Sequence, residues 1–240
     1  RRLAGETHAP VLNYSRGNGT SIHYQEMEMG LNGIRGKIKA GNETYEVVSE
    51  LIGEFNAENI LAAVSGAHAL GIRHSDIEIG IAACSAIPGR MESFALANGA
   101  TALIDYAHTP DAYDKVLGTL RQLSKQDTNI FVVFGAGGDR DASKRPEMAR
   151  VAELHATHCY VTPDNPRTED PDQIAKEVIS GFHSDRHTVF NDRSRGLTTA
   201  LSRSTKGDVV VVLGKGREEY QDIKGEKVFH SDLSIIQDYQ

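Results

Sequence analysis

The chain has 240 residues, 39% of them hydrophobic and 25% charged, which is enough for one full domain and part of a second. Its 26 basic and 33 acidic side chains leave a formal charge of −7, which argues against a nucleic-acid or anionic-membrane binder held by bulk electrostatics. No apolar run approaches the roughly 20 residues of a membrane span, there is no signal peptide, and Cys84 and Cys159 lack CxxC or CxxH spacing, so both read as reduced, buried thiols.

Residues 1 to about 50 contain short alternating segments such as Ser21-Ile22-His23-Tyr24 and Ile34-Arg35-Gly36-Lys37-Ile38. Gly17-Asn18-Gly19, Gly30 and Gly41-Asn42 punctuate them, a pattern of antiparallel hairpins. Ile60, Leu61, Val64, Ala67 and Leu70 then recur at helical spacing, with Gly71 as the expected C-cap and Asn56 placed to cap the helix start. Pro88-Gly89-Arg90 is the best linker candidate. Beyond it, strand-like runs at 101–105, 130–134, 158–162, 187–190 and 208–213 alternate with helical stretches near 110–124, 144–155, 171–182 and 192–203. Such alternation, with near-continuous apolar strands, predicts an α/β fold, a Rossmann-like, mostly parallel sheet covered by helices on both faces.

Three of those strands run into polar loops. Ile130–Phe134 is followed by Gly135-Ala136-Gly137-Gly138-Asp139-Arg140-Asp141, Cys159–Thr162 by Asp164-Asn165-Pro166-Arg167, and Val209–Leu213 by Gly214-Lys215-Gly216-Arg217-Glu218. In an open parallel sheet ligands bind beyond the carboxyl ends of the strands, so the three loops should share one rim. Arg167 offers a planar, permanently charged fork for a carboxylate, Asp164 and Asn165 offer polar groups for an ammonium, and Pro166 stiffens the loop. Alone, the tetrapeptide reads more readily as a turn with Arg167 in a surface ion pair, and each loop as an ordinary strand-to-helix connection. Together, with Arg140 and Glu218, they point to a ligand carrying both charges, as an amino acid does.

Gly89-Arg90-Met91-Glu92, Asp105-Tyr106-Ala107-His108-Thr109-Pro110-Asp111, Gly137-Gly138-Asp139-Arg140-Asp141 through Lys144-Arg145-Pro146, the Asp164–Arg167 tetrapeptide with Thr168-Glu169-Asp170-Pro171, and Gly214-Lys215-Gly216 with Glu218 follow in order. This series resembles the Mur ligase family, specifically its members that add meso-diaminopimelate, from Gly53-Glu54-Phe55-Asn56 onward; earlier residues match only vaguely. The resemblance implies that residues 1–88 are the tail of a central ATP-binding domain and 89–240 a carboxyl-terminal domain that receives the incoming amino acid. It implies meso-diaminopimelate contacts at Arg140, Asp164, Asn165, Pro166, Arg167, Gly214 and Glu218. It implies ATP contacts at Asn56, Asn59, Arg90, Asp105 and His108. Arg217 departs from the pattern, which usually has His there.

The family's phosphate loop, its modified magnesium-holding lysine and its UDP-binding domain are not found in the sequence. Gly214-Lys215-Gly216 is no substitute, because a Walker loop needs Ser or Thr after the lysine. The chain begins Arg1-Arg2-Leu3 and is expected to be a carboxyl-terminal fragment without ATP hydrolysis of its own. The implied reaction is ATP-driven, Mg2+-assisted amide formation on UDP-MurNAc-L-Ala-D-Glu in peptidoglycan precursor synthesis, by a cytoplasmic monomer with no nucleic-acid or membrane partner. No metal ligand is assigned to this chain; His155 and His158, spaced i, i+3, fall across a helix-to-strand passage and make a poor pair. The alternatives are a related Mur or folylpolyglutamate-type ligase, and a non-catalytic amino-acid-binding module.

Overall fold

The computed structural model describes residues 5–17 and 19–240; readings that rest on Arg1-Arg2-Leu3 and Asn18 lie outside the described residues. The chain divides into two compact units, one up to Ser85 and one over Ala86–Gln240.

In the first unit β1 (Tyr14–Ser15), β2 (Ile22–Gly30), β3 (Gly33–Ala40) and β4 (Glu43–Ser49) form a sheet in that order. The expected hairpins are β2–β3 and β3–β4, both antiparallel. Gly41 at φ 58 turns the second one. The short β1 lies parallel to β2, its lead-in fixed by Asn13, whose Oδ1 accepts from the Ser21 amide and hydroxyl, each at 2.7 Å. Helix α1 (Glu54–Ala69) buries Ala57, Ile60, Leu61 and Val64 at helical spacing, and α2 (His74–Ala83), which the sequence pattern did not announce, buries Ile77.

Three sequence expectations are corrected here. Gly53, not Asn56, occupies the N-cap, and Asn56 lies buried in the first turn with its Nδ2 donating to the Ile52 carbonyl at 2.8 Å. Leu70 is 81% exposed, because the helix has ended: the amide of Gly71 (φ 69) donates to His68 and that of Ile72 to Ala67, a Schellman motif that turns the chain away. Cys84 is exposed, just past the end of α2, while Cys159 is buried in a central strand.

The second unit is built on a six-stranded sheet. Its strands are β5 (Glu92–Ala95), β6 (Thr101–Asp105), β7 (Ile130–Phe134), β8 (His158–Val161), β9 (His187–Val189) and β10 (Val209–Leu213), in the order β5-β6-β10-β7-β8-β9. All are parallel except the edge strand β5, which runs antiparallel to β6. The helices are α3 (Pro110–Leu123), α4 (Lys144–His155), α5 (Pro171–Ile179), α6 (Arg193–Arg203) and α7 (Asp232–Gln237), with a hairpin of β11 (Tyr220–Ile223) and β12 (Glu226–Phe229) before the last.

Strand side chains alternate between the two faces. Ala102, Ile104, Phe131, Val133, Val210 and Val212 pack with Leu197, Ala200 and Leu201 of α6 and Ile236 of α7. Phe134, of the opposite parity, meets Tyr113 of α3 edge to face at 5.6 Å. Because both faces are covered, every residue of β7 and β10 is buried, which is why those strands read as unbroken apolar runs. The helix starts are set locally: Thr109, Asp170, Asp192 and Ser231 each accept a first-turn amide, and Pro110 and Pro171 occupy positions where no amide bond is lost.

Candidate substrate-binding site

The order β6-β10-β7-β8 puts the carboxyl ends of four adjacent parallel strands on one rim, and all the loops singled out in the sequence leave from it. They enclose a cleft of about 430 Å³ lined by Tyr106, His108, Arg140, Asp164, Asn165, Arg167, Gly214 and Glu218 among others. The loop after β7 lies directly on the loop after β8, with the Gly138 amide donating to the Asn165 carbonyl at 2.9 Å. A Cβ on Gly138 would collide with the Pro166 carbonyl, so only glycine permits this contact.

Arg145 of α4, 2% exposed, ties the same two loops from below. Its Nη2 donates to the Gly137 carbonyl at 3.1 Å and to Glu169 at 2.9 Å, and its Nη1 to Glu169 at 2.8 Å and Glu177 at 2.7 Å. Glu169 in turn accepts from the Asp139 amide at 2.5 Å.

Arg167 is held at φ 52, a left-handed conformation that costs a non-glycine residue about 1–3 kcal/mol and persists because its surroundings enforce it. Its amide donates to the Asp222 carbonyl at 2.8 Å and its carbonyl accepts from the Lys224 amide at 2.7 Å, so the β11–β12 hairpin clips the loop at this residue. Lys224 and Gly225, both at positive φ, make the tight turn of that hairpin. Arg167 Nη1 donates to the Gly138 carbonyl at 2.5 Å. Among the described residues neither Arg167 nor the exposed Arg140 has a carboxylate partner, so the surface ion pair considered for Arg167 does not form.

The opposite pole of the cleft is acidic. Lys215, fully buried, donates from Nζ to Asn165 Oδ1 at 3.0 Å and to Glu218 Oε2 at 3.1 Å, and lies 3.8 Å from Asp164 Oδ1. Asn165 Nδ2 also donates to Glu218 Oε2 at 3.0 Å, and its Oδ1 accepts from the Asp222 amide at 2.9 Å. The Asn165 amide is thus occupied at both ends by the protein and shapes the cleft. Burial on its own would raise the Glu218 carboxyl pKa, but the bonds from Asn165 and Lys215 outweigh it and hold the group below the ordinary range. Tyr106, whose hydroxyl donates to Glu218 at 3.3 Å, has its own pKa raised by burial and by that neighbouring carboxylate.

The residues considered for ATP are divided between the units. Asn56 and Asn59 form a pair in α1, Nδ2 to Oδ1 at 3.3 Å. Arg90 lies over the Tyr106 ring at 5.6 Å, and His108 is exposed with Nδ1 2.9 Å from the Tyr106 carbonyl. Asp105 is buried, which raises its pKa, and both carboxylate oxygens accept backbone amides, from Met91 at 2.8 Å and Ala107 at 2.7 Å. Its geometry is that of a brace for the Gly89–Met91 turn. Arg217 pairs with buried Glu92, Nε to Oε2 at 2.7 Å, and Glu92 also accepts from the Gly89 amide at 2.8 Å.

Sequence reasoning missed Lys215, Arg145 and a buried cluster under the rim. In that cluster Arg193 Nη2 donates to Asp232 Oδ2 at 2.8 Å and to the Leu213 carbonyl at 3.0 Å, Nη1 to Thr162 Oγ1 at 3.3 Å, and His230 Nε2 stands 2.7 Å from Asp232 Oδ1. The only signal for Lys215 was its i, i+3 spacing to Glu218 on a turn; Arg145 and Arg193 look like surface residues in sequence.

A profile described as "Mur ligase, glutamate ligase domain" matches residues 89–216, more than half of the chain. The chain belongs to the Mur ligase family. It is 36% identical over 231 residues to a UDP-N-acetylmuramoyl-L-alanyl-D-glutamate–2,6-diaminopimelate ligase of Geobacillus kaustophilus, a match covering 95% of this chain and 47% of that one. It is 44% identical over 189 residues to the ligase of the same name from Chlamydia muridarum, covering 78% and 39%. A solved structure carrying that ligase name superposes with a TM-score of 0.73 at 32% identity, covering 99% of this chain and 49% of the other. The chain therefore spans about half the length of the curated relatives it matches. The α/β architecture with its largely parallel sheet is that of the Mur ligase carboxyl-terminal domain.

Proposed function

We propose that this chain is part of an ATP-dependent ligase that adds meso-diaminopimelate to UDP-MurNAc-L-Ala-D-Glu in the cytoplasm, acting as a monomer. In this reading residues 1–88 belong to its ATP-binding domain and 89–240 bind the incoming amino acid. The observation that carries the reading is the polarity of the cleft: arginines without carboxylate partners at one pole, Asp164 and Glu218 at the other. A ligand with carboxylates and ammonium groups at separated ends matches both poles. The names of the relatives supply the substrate class.

A free carboxylate resists attack by an amine, because its charge is delocalised and its leaving group is poor. Phosphorylation by ATP removes both obstacles: the γ-carboxylate of the glutamate becomes an acyl phosphate, the amine forms the C–N bond, and phosphate leaves. The task of this domain is positioning, holding the nucleophile in line and out of water. Arg167 and Arg140 would grip the distal carboxylate, Asp164 and Glu218 an ammonium, while Arg90 and His108 face the nucleotide. Magnesium would offset phosphate charge when bound. The described residues include no cluster of three acidic, histidine or cysteine ligands that fits it.

Calorimetry with meso-diaminopimelate and L-lysine tests the reading. Lysine lacks the distal carboxylate and should bind far more weakly, since it leaves a buried polar contact unmade. Arg167→Ala should cost on the order of 3 kcal/mol, about a hundredfold, for meso-diaminopimelate and little for lysine. Equal losses for both ligands, in this variant and in Arg140→Ala, would mean that the arginines support the loop without reading a carboxylate.

A further inference from the structure

Gly214-Lys215-Gly216 follows the central strand of the sheet, yet the recognition chemistry above assigns its lysine nothing. Lys215 is fully buried among the groups that should receive the ligand's ammonium. We propose that Lys215 is the positioning residue of the ammonium pocket: it neutralises one of the two carboxylates, Asp164 and Glu218, and fixes their geometry, so that this end of the cleft offers one net negative charge to one ligand ammonium. The inference rests on the amino-acid reading of the cleft and adds how its charge is set.

Two carboxylates and one ammonium converge there, at 3.1 Å from Nζ to Glu218 and 3.8 Å to Asp164. Without the lysine, two like charges would share a poorly solvated site, and one of them would take up a proton. A protonated carboxyl no longer attracts an ammonium, so binding would weaken although no ligand contact had been removed. With Lys215 in place the sum is one negative charge, and a bound ammonium brings it to zero. The hydrogen bonds divide the carboxylates further. Glu218 spends Oε2 on Lys215 and Asn165 and Oε1 on Tyr106, whereas the Asp164 carboxylate, 8% exposed, accepts no hydrogen bond among the described residues. Asp164 is the acceptor kept free for the ligand. Tyr220 also stands against the ammonium, 5.6 Å from ring centroid to Nζ, with Lys227 covering that ring at 4.2 Å, while Tyr106, Tyr113 and Arg193 act electrostatically on the Asp164 carboxylate.

The two glycines make this placement possible. At φ 106, Gly214 leaves room for the Asp164 carboxylate where a Cβ would strike it. At φ 53, Gly216 passes the Tyr106 ring, which a Cβ would meet at 2.9 Å. A lysine between them turns its stem inward, and its compact ammonium serves Asn165 and Glu218 from one point.

The test is Lys215→Met, which keeps the length of the side chain and removes the charge. In carboxyl carbon-13 spectra of the whole chain the Glu218 midpoint should rise by about one pH unit or more. Calorimetry with meso-diaminopimelate at neutral pH should show at least about a tenfold loss of affinity, partly recovered as pH rises and the carboxylates ionise again. A packing defect alone would give no such recovery. An unchanged Glu218 midpoint overturns the proposal whether or not the ligand binds. A raised midpoint in a chain that binds no meso-diaminopimelate upholds the charge setting and removes the substrate reading. Should the methionine variant not fold, Glu218→Gln approaches the same pair from its solvent side: the Lys215 amino nitrogen resonance should move, and a stationary resonance overturns the proposal.

Discussion

Replacing Asp232 by asparagine should destabilise the second unit by about 3–5 kcal/mol, because it preserves shape but strands a buried cation. Both partners are 1% exposed, and Arg193 makes contacts to Asp232 at 2.8, 3.0 and 3.3 Å. For a domain of this size the loss corresponds to roughly 6–20 °C in melting temperature. Burial opposes ionisation of Asp232, but the Arg193 charge and the bonds from His230 and Arg193 outweigh it and hold the carboxyl well below the usual carboxylate range. Since the folded pKa is depressed, this contribution is complete above the unfolded value, near 3.9, and drains away as pH falls below it. Urea titrations from pH 7 down to 2 should therefore show a wild-type stability that declines below about pH 4, with a shallower decline in Asp232→Asn. Because Arg193 also holds Thr162 and the Leu213 carbonyl, where β8 and β10 enter the cleft, meso-diaminopimelate affinity should fall as well. A stability loss under about 1 kcal/mol at neutral pH, or an unaltered acid slope, would refute the account of this cluster as a strongly coupled buried pair.

Gly214→Ala should abolish meso-diaminopimelate binding while costing about 1–3 kcal/mol of stability, through its positive φ and its collision with Asp164; wild-type affinity in calorimetry would contradict this. Thiol titration of the folded chain should modify Cys84 and spare Cys159, whose thiol pKa is pushed up by burial, and both should react in denaturant. Arg217→Ala should leave Glu92 buried without its cation and raise the pKa of that carboxyl, whose ionisation burial already opposes, at a cost of about 1 kcal/mol; an unmoved Glu92 carboxyl resonance would show that the Gly89 amide suffices.

The parallel sheet was legible because β7 and β10 are buried on both faces and need no polar partner for their side chains. The cleft loops were legible because three of them, each carrying charge with glycine or proline, directly follow apolar strands of one parallel sheet and so share one rim. The β11–β12 hairpin was not, since its residues Tyr220-Gln221-Asp222-Ile223 and Glu226-Lys227-Val228-Phe229 stay half-buried or exposed and carry little alternation. Helix α2 buries only Ile77 and so shows almost no stripe. Lys215, Arg145 and Arg193 were invisible for a deeper reason. Arg145 and Arg193 are paired by residues far away in sequence, Glu169 and Asp232, which no local pattern encodes, and the burial of Lys215 depends on the equally distant Asn165, its i, i+3 spacing to Glu218 being common on exposed turns. Asn165 was read as an amino-acid contact and Asp105 as an ATP contact, and the structure occupies their polar atoms with protein partners.

The strand order has a consequence for how the domain is assembled. β10, the last strand of the main sheet in sequence, lies between β6 and β7 and pairs with both. Until residues 209–213 are in place, β5–β6 and β7–β8–β9 are separate leaves with unpaired inner edges, and the rim loops cannot close around a common space. Such a late, non-local insertion slows folding, since the entropy of ordering distant segments comes due before the pairing that offsets it. A chain interrupted just before β10 would hold most of the cleft's residues and none of its shape.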